Sequence, residues 1–365
     1  MNDTSNKTRT LTFCINELDV GGAEKALVRI AIGLKELGWG VRVISLRDAG
    51  ALSANLIAAE IPVSALNCGG FADLRCYFRL VAELKRHPSD VLCCFLHQAN
   101  VYGRLAAKRA KIPVVISGVR VADRRRWVTW TDWLTSRCVD HYVAVGRNVA
   151  EVHGQLCGIS GDRITAISNG VDLVDSELRQ PIERSENEIL FVGRLTEQKA
   201  PLNLLAAFSK LPEQIRQQTK LTFVGDGPLK GALEAAIADL GLQSSVRLAG
   251  QLTNVAEQMQ RATLLALPSL WEGMPNVVLE AMANGLPVLA TAVDGTNELI
   301  VHKQNGWLVP AGDIAALTAE LAVALDSHQL RSEFSKSSQV LVAQRFSWQH
   351  VIAAYDALFR SLLPN

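Results

Sequence analysis

Thirteen short apolar runs separated by helical segments constrain this chain more than any other feature of its sequence. In the first half the runs are 11–15, 41–46, 63–66, 91–96, 114–117, 142–145 and 164–167; in the second they are 189–192, 221–224, 246–248, 264–267, 288–290 and 307–309. Between the first two, Gly21-Gly22 breaks the chain. Ala23, Ala26, Leu27, Ile30, Ala31, Leu34 and Leu37 then recur at helical spacing until Gly38. Continuous apolar strands alternating with helices require a parallel sheet covered on both faces. A chain of 365 residues is too long for one comfortable core, and the pattern occurs twice. The polar stretch Ser168–Asn187 has no strong period and is the expected linker. The fold class is therefore α/β, with two doubly wound domains.

In open α/β sheets ligands bind beyond the carboxyl ends of the strands. Five polar or glycine-rich turns of this chain fall there, and two such edges facing each other would make one interdomain cleft. Glu272 lies in the Gly/Pro loop after 264–267. Glu280 lies eight positions on, inside an apolar helix that Asn276 and Val277 should open. Eight residues is just over two turns, so a phosphate seat at the helix N-terminus would be flanked by two acceptors for hydroxyls. A nucleotide-sugar needs that combination. The loop after 189–192 carries Arg194 and Lys199, a planar fork and a mobile point charge suited to a diphosphate leaving group. Gly21-Gly22-Ala23-Glu24 opens a helix after the first strand, either as a backbone cradle for a phosphate or sugar or as a simple tight turn. It lacks the glycine spacing of dinucleotide enzymes. His97 ends the strand 91–96 with Asn100 one turn later, and Arg120 ends another strand where it could meet an acceptor's charge.

Arg124-Arg-Arg-Trp127, Trp130 and Trp133 form a cationic–aromatic segment. The expectation is a helix packing its Trp stripe into the core with arginines at its mouth; the alternative is docking on anionic lipid. Residues 1–168 carry 22 Lys+Arg against 15 Asp+Glu, and the remainder 15 against 21; this points either to an anionic partner of the first half (a membrane surface, a lipid phosphate or an acidic polysaccharide) or to uneven bookkeeping with no single patch. No basic helix or aromatic sheet motif points to nucleic acid. All seven cysteines lie in the first half without CxxC spacing, so buried thiols in a reducing compartment are expected, without a disulfide or zinc framework. Met1–Arg9 has no apolar signal core, and no stretch reaches the roughly 18 apolar residues of a spanning helix. The expected location is cytoplasmic, or peripheral on the cytoplasmic face of the inner membrane.

In this order the motifs resemble glycosyltransferase family 4, retaining enzymes of the GT-B fold, almost end to end. Gly21-Gly22-Ala23-Glu24 is similar to the family's glycine loop, and Ser168-Asn169-Gly170-Val171-Asp172 to its interdomain signature. Gly193-Arg194 through Lys199 is similar to its phosphate loop, Gly225-Asp226-Gly227-Pro228 to its nucleotide-side turn, and Glu272 through Glu280 to its paired-glutamate element. Asn305-Gly306-Trp307-Leu308-Val309 resembles its late strand, and Phe346-Ser347-Trp348 the start of a terminal helix that crosses back. The resemblance implies domains at 1–170 and 171–346, with a crossover helix at 347–365. It also implies that Arg194 and Lys199 bind the donor diphosphate, helped by backbone at Gly21, Gly22, Gly273, Asn276 and Val277. Asp226 and Gly227 would lie on the nucleotide side and Glu280 would hold the ribose. Glu272 would lie against the donor sugar, and His97 would contact that sugar near its 6-position. Asn100 and Arg120 stand as acceptor-side candidates. No metal and no cofactor are implied. One departure is Asp294-Gly295, where the family commonly has two glycines, and it bears on sugar preference. The expected partners are a nucleotide-sugar donor, UDP-linked by family frequency, and a glycan or lipid-linked acceptor of cell-envelope polysaccharide or lipopolysaccharide synthesis. A sugar-nucleotide epimerase of the same fold, an NAD oxidoreductase and a non-catalytic nucleotide-sugar-binding protein are the rival readings.

Overall fold

A computed structural model describes residues 8–70, 73–123, 125–173 and 187–364. The described chain forms two units: one runs to Gly170 and resumes at Trp348, the other is Val171–Ser347. Arg124 and most of the expected linker lie outside the described residues.

The first unit holds the strands β1 (Thr10–Ile15), β2 (Gly40–Ser45), β3 (Val63–Ala65), β4 (Val91–Phe95), β5 (Val114–Val119), β6 (His141–Ala144) and β7 (Ile164–Ala166). They form one parallel sheet in the order β3-β2-β1-β4-β5-β6-β7. The second unit holds β8 (Asn187–Val192), β9 (Thr219–Val224), β10 (Val246–Gly250), β11 (Leu264–Leu267), β12 (Val288–Thr291) and β13 (Trp307–Val309). Its order is β10-β9-β8-β11-β12-β13, again parallel. All thirteen runs read from the sequence are strands. Each order reverses direction once, between β1 and β4 and between β8 and β11. At such a switch point the flanking crossovers leave on opposite faces and open a crevice at the carboxyl edge.

Burial explains the continuous apolar runs. Leu11, Phe13, Cys14 and Ile15 of β1, and Val91 through Phe95 of β4, are wholly buried because helices cover both faces of the sheet. The terminal helix Trp348–Leu362 belongs to the first unit. Its Val351, Tyr355 and Phe359 recur every fourth residue and are buried, and Trp39 Nε1 donates to Asp356 Oδ1 at 2.7 Å. The chain's two passages between units run side by side: Val171 N donates to Phe346 O at 2.8 Å, and Val171 bridges Ser347.

Two expectations are corrected. Cys68 and Cys76 form a disulfide, with Cα atoms 5.3 Å apart. The helix Leu74–Arg86 sets Cys76 in its first turn, and its N-cap Asp73 accepts from Gly69 N at 3.0 Å, which folds the loop bearing Cys68 back onto the helix. The other five thiols are free, and Cys14, Cys93, Cys94 and Cys157 are buried. The Trp stripe is also misassigned: Trp127, Trp130 and Trp133 are exposed, not packed in the core.

Candidate active site

At the switch point of the second sheet, four loops are stitched together by backbone. Leu195 N donates to Asp226 O at 2.9 Å and Leu229 N to Leu195 O at 2.9 Å, which joins the loop after β8 to the one after β9. Gly225 adopts φ +136°, and a Cβ there would lie 2.0 Å from Gly193 O, so this crossing requires glycine. Leu270 N donates to Gln198 O at 2.8 Å, and Gln198 Nε2 to Trp271 O at 3.0 Å, which joins the loops after β8 and β11. A Cβ on Gly295 would lie 2.1 Å from Gly273 O, so the loop after β12 stacks directly on the one after β11. The departure at Asp294 thus keeps the glycine that the packing demands and changes its neighbour, a half-buried residue opening the short helix Asp294–Asn297.

This stitching brings Lys199 and Glu272 together. The Lys199 ammonium donates to Glu272 Oε1, which also accepts from Ser269 Oγ at 2.6 Å. Their side chains are only 16% and 6% exposed, so the pair is largely out of water. Thr291 Oγ1 in turn donates to Ser269 O, anchoring the carboxylate's support to β12. Arg194 sits exposed in the same loop as Lys199, and Asp226 is exposed with Oδ1 accepting from Gly227 N at 2.7 Å. The helix Asn276–Ala283 begins where expected. Its N-cap, Pro275, offers no side-chain cap, so its opening N–H groups face the loop without a built-in acceptor from that residue. Val277 and Glu280 are half-buried, and Glu280 lies just over one turn into this helix, because Glu272 stays in the preceding loop.

In the first unit, Gly21 and Gly22 open the helix Gly22–Glu36. The Glu24 carboxylate lies over the loop: a Cβ on Gly21 would be 2.2 Å from its Oε2. That puts an internal anion at a helix start where a ligand phosphate was a candidate. His97 opens the helix His97–Ala110 directly after Leu96, whose φ of +72° is strained for a residue with a side chain. His97 Nε2 lies 3.2 Å from Thr131 Oγ1, and its ring meets Trp127 edge to face at 5.1 Å. The Thr131 hydroxyl also reaches the carbonyls of Trp127 and Val128, at 3.0 and 2.9 Å, so its oxygen can accept from His97 when the ring carries its proton on Nε2. Burial holds the His97 pKa below its ordinary value, against an opposing pull from Asp132.

The acceptor-side candidates take structural positions. Asn100 is buried and donates Nδ2 to Gly118 O at 3.0 Å, behind His97 and not on the surface. Arg120 donates to Asn169 Oδ1 of the linker signature and stacks over Phe95 at 5.3 Å. Burial lowers its pKa, opposed by Tyr355 on the terminal helix and by Glu24.

Sequence reasoning missed a polar core beneath His97. Arg104 is wholly buried; it donates to Asp132, to Thr135 Oγ1 at 2.8 Å and to Ser117 Oγ at 2.9 Å. Asp132, His153 and Cys157 form the one cluster of metal-ligand type found among the described residues. The Asp132 carboxylate pairs with Arg104 through Oδ1, and the His153 ring lies between the other two groups, with Cys157 Sγ 3.8 Å from Nδ1 and Asp132 Oδ2 3.9 Å from Nε2. Ser269 and Thr131 were also unread, because a lone Ser or Thr carries no spacing signal.

Residues 20–175 match the model of Glycosyltransferase Family 4, and residues 175–340 that of Glycosyl transferases group 1. The chain is 26% identical to the UDP-Gal:alpha-D-GlcNAc-diphosphoundecaprenol alpha-1,3-galactosyltransferase of Escherichia coli, over 76% of this chain and 77% of that protein. It is 27% identical to a Campylobacter jejuni alpha-1,4-N-acetyl-D-galactosaminyltransferase named for a PP-undecaprenol-linked acceptor, over 90% of this chain and 92% of that one. Among solved structures it resembles Anabaena HepE in complex with UDP and glucose, with TM-score 0.85 and 21% identity over 97% of this chain and all of that one. The two parallel sheets share the GT-B fold of that neighbour. The chain belongs to the glycosyltransferases that join a family 4 amino-terminal region to a group 1 carboxy-terminal region.

Proposed function

We propose that this glycosyltransferase moves a sugar from a UDP-sugar to a hydroxyl of a glycan or lipid-linked acceptor, with retention of anomeric configuration, in cell-envelope synthesis. The observation that carries the reading is the Lys199–Glu272 pair at the β8/β11 switch point, in one stitched group of loops with Arg194 and the start of the helix Asn276–Ala283. The activities for which the E. coli and C. jejuni relatives are named, and the UDP held by HepE, support the donor and acceptor classes.

In this reading Arg194 and Lys199 hold the donor diphosphate. Charge accumulates on that group as its bond to the sugar breaks. Fixed cations therefore stabilise the transition state more than the intact donor, and that difference is what accelerates transfer. Backbone N–H groups at Asn276 and Val277 add to the same seat, and Glu280 takes the ribose hydroxyls. Glu272 orients Lys199 and lies against the sugar, so it is a positioning carboxylate and not half of a hydrolase pair. His97, held by Thr131 at Nε2 and by the edge of Trp127, keeps a fixed ring orientation towards the sugar. The acceptor attacks on the face the diphosphate leaves, and that phosphate takes its proton. Two cations supply the positive charge, so the reaction is proposed to run without a divalent metal or cofactor. No described helix is long and apolar enough to cross a membrane, and a lipid-linked acceptor would place the work at the cytoplasmic membrane face.

The test is a thermal-shift panel of UDP- and GDP-sugars, since a ligand bound to the native state raises its melting point. Transfer to a polyprenyl-diphosphate-linked glycan would follow, with the new linkage read by NMR. No shift from any nucleotide-sugar would sink the reading. An inverted product would remove retention alone, and isomerised donor without acceptor would favour an epimerase.

A further inference from the structure

The helix Arg126–Thr135 faces the wrong way for an ordinary surface helix. Its inward side carries Val128, Asp132 and Thr135, all buried, with Thr131 against His97. Its outward side carries Trp127, Trp130, Trp133 and Leu134, which are 50%, 58%, 57% and 55% exposed. Positions 127, 130 and 134 share one helical face, with 133 beside them. With Arg126, Thr129 and Leu156, the three indoles line a shallow groove. The orientation is enforced from below. Arg104 is wholly buried and grips both Asp132 and Thr135, so turning the helix to hide its indoles would strand a guanidinium in the core. Soluble monomers rarely leave a contiguous aromatic patch of this kind in water.

The surrounding charge says what covers it. Residues 124–138 hold four arginines and a single acid, Asp132, which is turned inward. Arg126 and Arg137 are exposed at the two ends of the stripe. Indoles favour the water–bilayer interface, and arginines draw anionic headgroups. We propose that this helix docks the protein on an anionic lipid surface, indoles among the headgroups and arginines on the phosphates. The proposal deepens the functional reading and rests on it for one point, that the acceptor is lipid-linked. The helix that enters the headgroups also carries the wall of His97, through Trp127 at 5.1 Å and Thr131 at 3.2 Å. Docking therefore brings the lipid-borne acceptor to the part of the first unit where His97 is proposed to face the donor sugar.

The experiment is co-sedimentation of the full chain with phosphatidylcholine vesicles, with and without a minority of phosphatidylglycerol, in the absence of donor. Expected are binding that requires phosphatidylglycerol and weakens with salt, and indole emission that moves to shorter wavelength on binding. Trp130→Ser with Trp133→Ser should weaken binding at least roughly tenfold, since two half-exposed indoles no longer leave water. The same variant should keep the melting point and the transfer to a short-chain, detergent-solubilised acceptor. Arg126→Glu with Arg137→Glu should abolish the salt-sensitive part. Equal binding by the Trp variant, equal binding to uncharged vesicles, or no binding by the wild type overturns the proposal. A wild-type dimer that the Trp variant splits, without vesicle binding, assigns the patch to a protein interface and also overturns it. Vesicle binding by a protein that ignores every nucleotide-sugar would retain the docking surface and remove the transferase reading, and the reverse result would do the opposite.

Discussion

Lys199 and Glu272 stand 73 residues apart in the chain, yet the ammonium of one donates directly to the carboxylate of the other at the ends of neighbouring strands β8 and β11. One side chain is proposed to hold the leaving group and the other to aim it. Lys199→Ala should therefore reduce kcat/KM roughly 10²–10³-fold. It should also destabilise the fold by about 3–5 kcal/mol, because Glu272 is left buried and unpaired. Adding Glu272→Ala should restore most of the melting point and none of the transfer. Full activity in the single variant would remove Lys199 from the mechanism.

Glu280 is assigned the ribose, which gives a separate signature. Glu280→Ala should weaken UDP-sugar binding by about 1.5–3 kcal/mol, the worth of hydrogen bonds to a charged group. The same substitution should change the affinity of a donor lacking those hydroxyls very little. Calorimetry on both ligands separates this role from a general loss of folding.

Arg104→Ala should cost about 3–5 kcal/mol of stability, since Asp132 then lies buried without its partner. Replacing both by apolar residues, Arg104→Met with Asp132→Leu, should recover much of that loss. In the single variant the uncompensated Asp132 pulls harder on His97, whose pKa should rise, as read by NMR titration.

Burial holds His97, His141 and His153 below the ordinary histidine value of 6.5. Between that value and the lower folded one, the unfolded chain binds more protons than the native chain. Stability is therefore complete above pH 6.5 and falls as the pH drops below it, by up to about 1.4 kcal/mol per pH unit for each group. Melting points at pH 7.5 should exceed those at pH 5.5, and His153→Gln should flatten the slope. A melting point that rises on acidification would contradict burial of the neutral imidazoles.

Gly225→Ala combines a left-handed backbone with a Cβ 2.0 Å from the Gly193 carbonyl. It should cost roughly 1–3 kcal/mol for the backbone alone, with a further penalty for displacing the loop, and should weaken UDP binding. Gly312→Ala, at φ +78° with nothing within 4 Å, is the control that isolates the backbone term. Its donor affinity should stay unchanged.

The strands were legible because burial on both faces writes itself into local composition, as in Val91-Leu-Cys-Cys-Phe95. Their order in the sheet was not, since it depends on contacts far apart in sequence. The meeting of Lys199 with Glu272 follows from that order. The Trp stripe shows a different limit. Periodicity fixed which residues share a side of the helix, but Arg104, more than twenty residues upstream, decides which side turns inward. The Cys68–Cys76 pair escaped notice because eight residues is no recognised spacing, and the bond depends on how Asp73 folds the intervening loop. Asn100 stands as an acceptor-side candidate in the sequence, one helical turn after His97, and that turn leads inward, where its Nδ2 donates to Gly118 O.

Where main chain touches main chain at Gly193 and Gly225, and again at Gly273 and Gly295, there is no volume left for natural variation to fill. Divergence among relatives, or a designer's library, has to work at the rim: Asp226, Trp271 and Asp294 can be exchanged without moving the bed on which they sit. A panel of substitutions at those three positions, screened over many carbohydrates, is where altered substrate choice should first emerge.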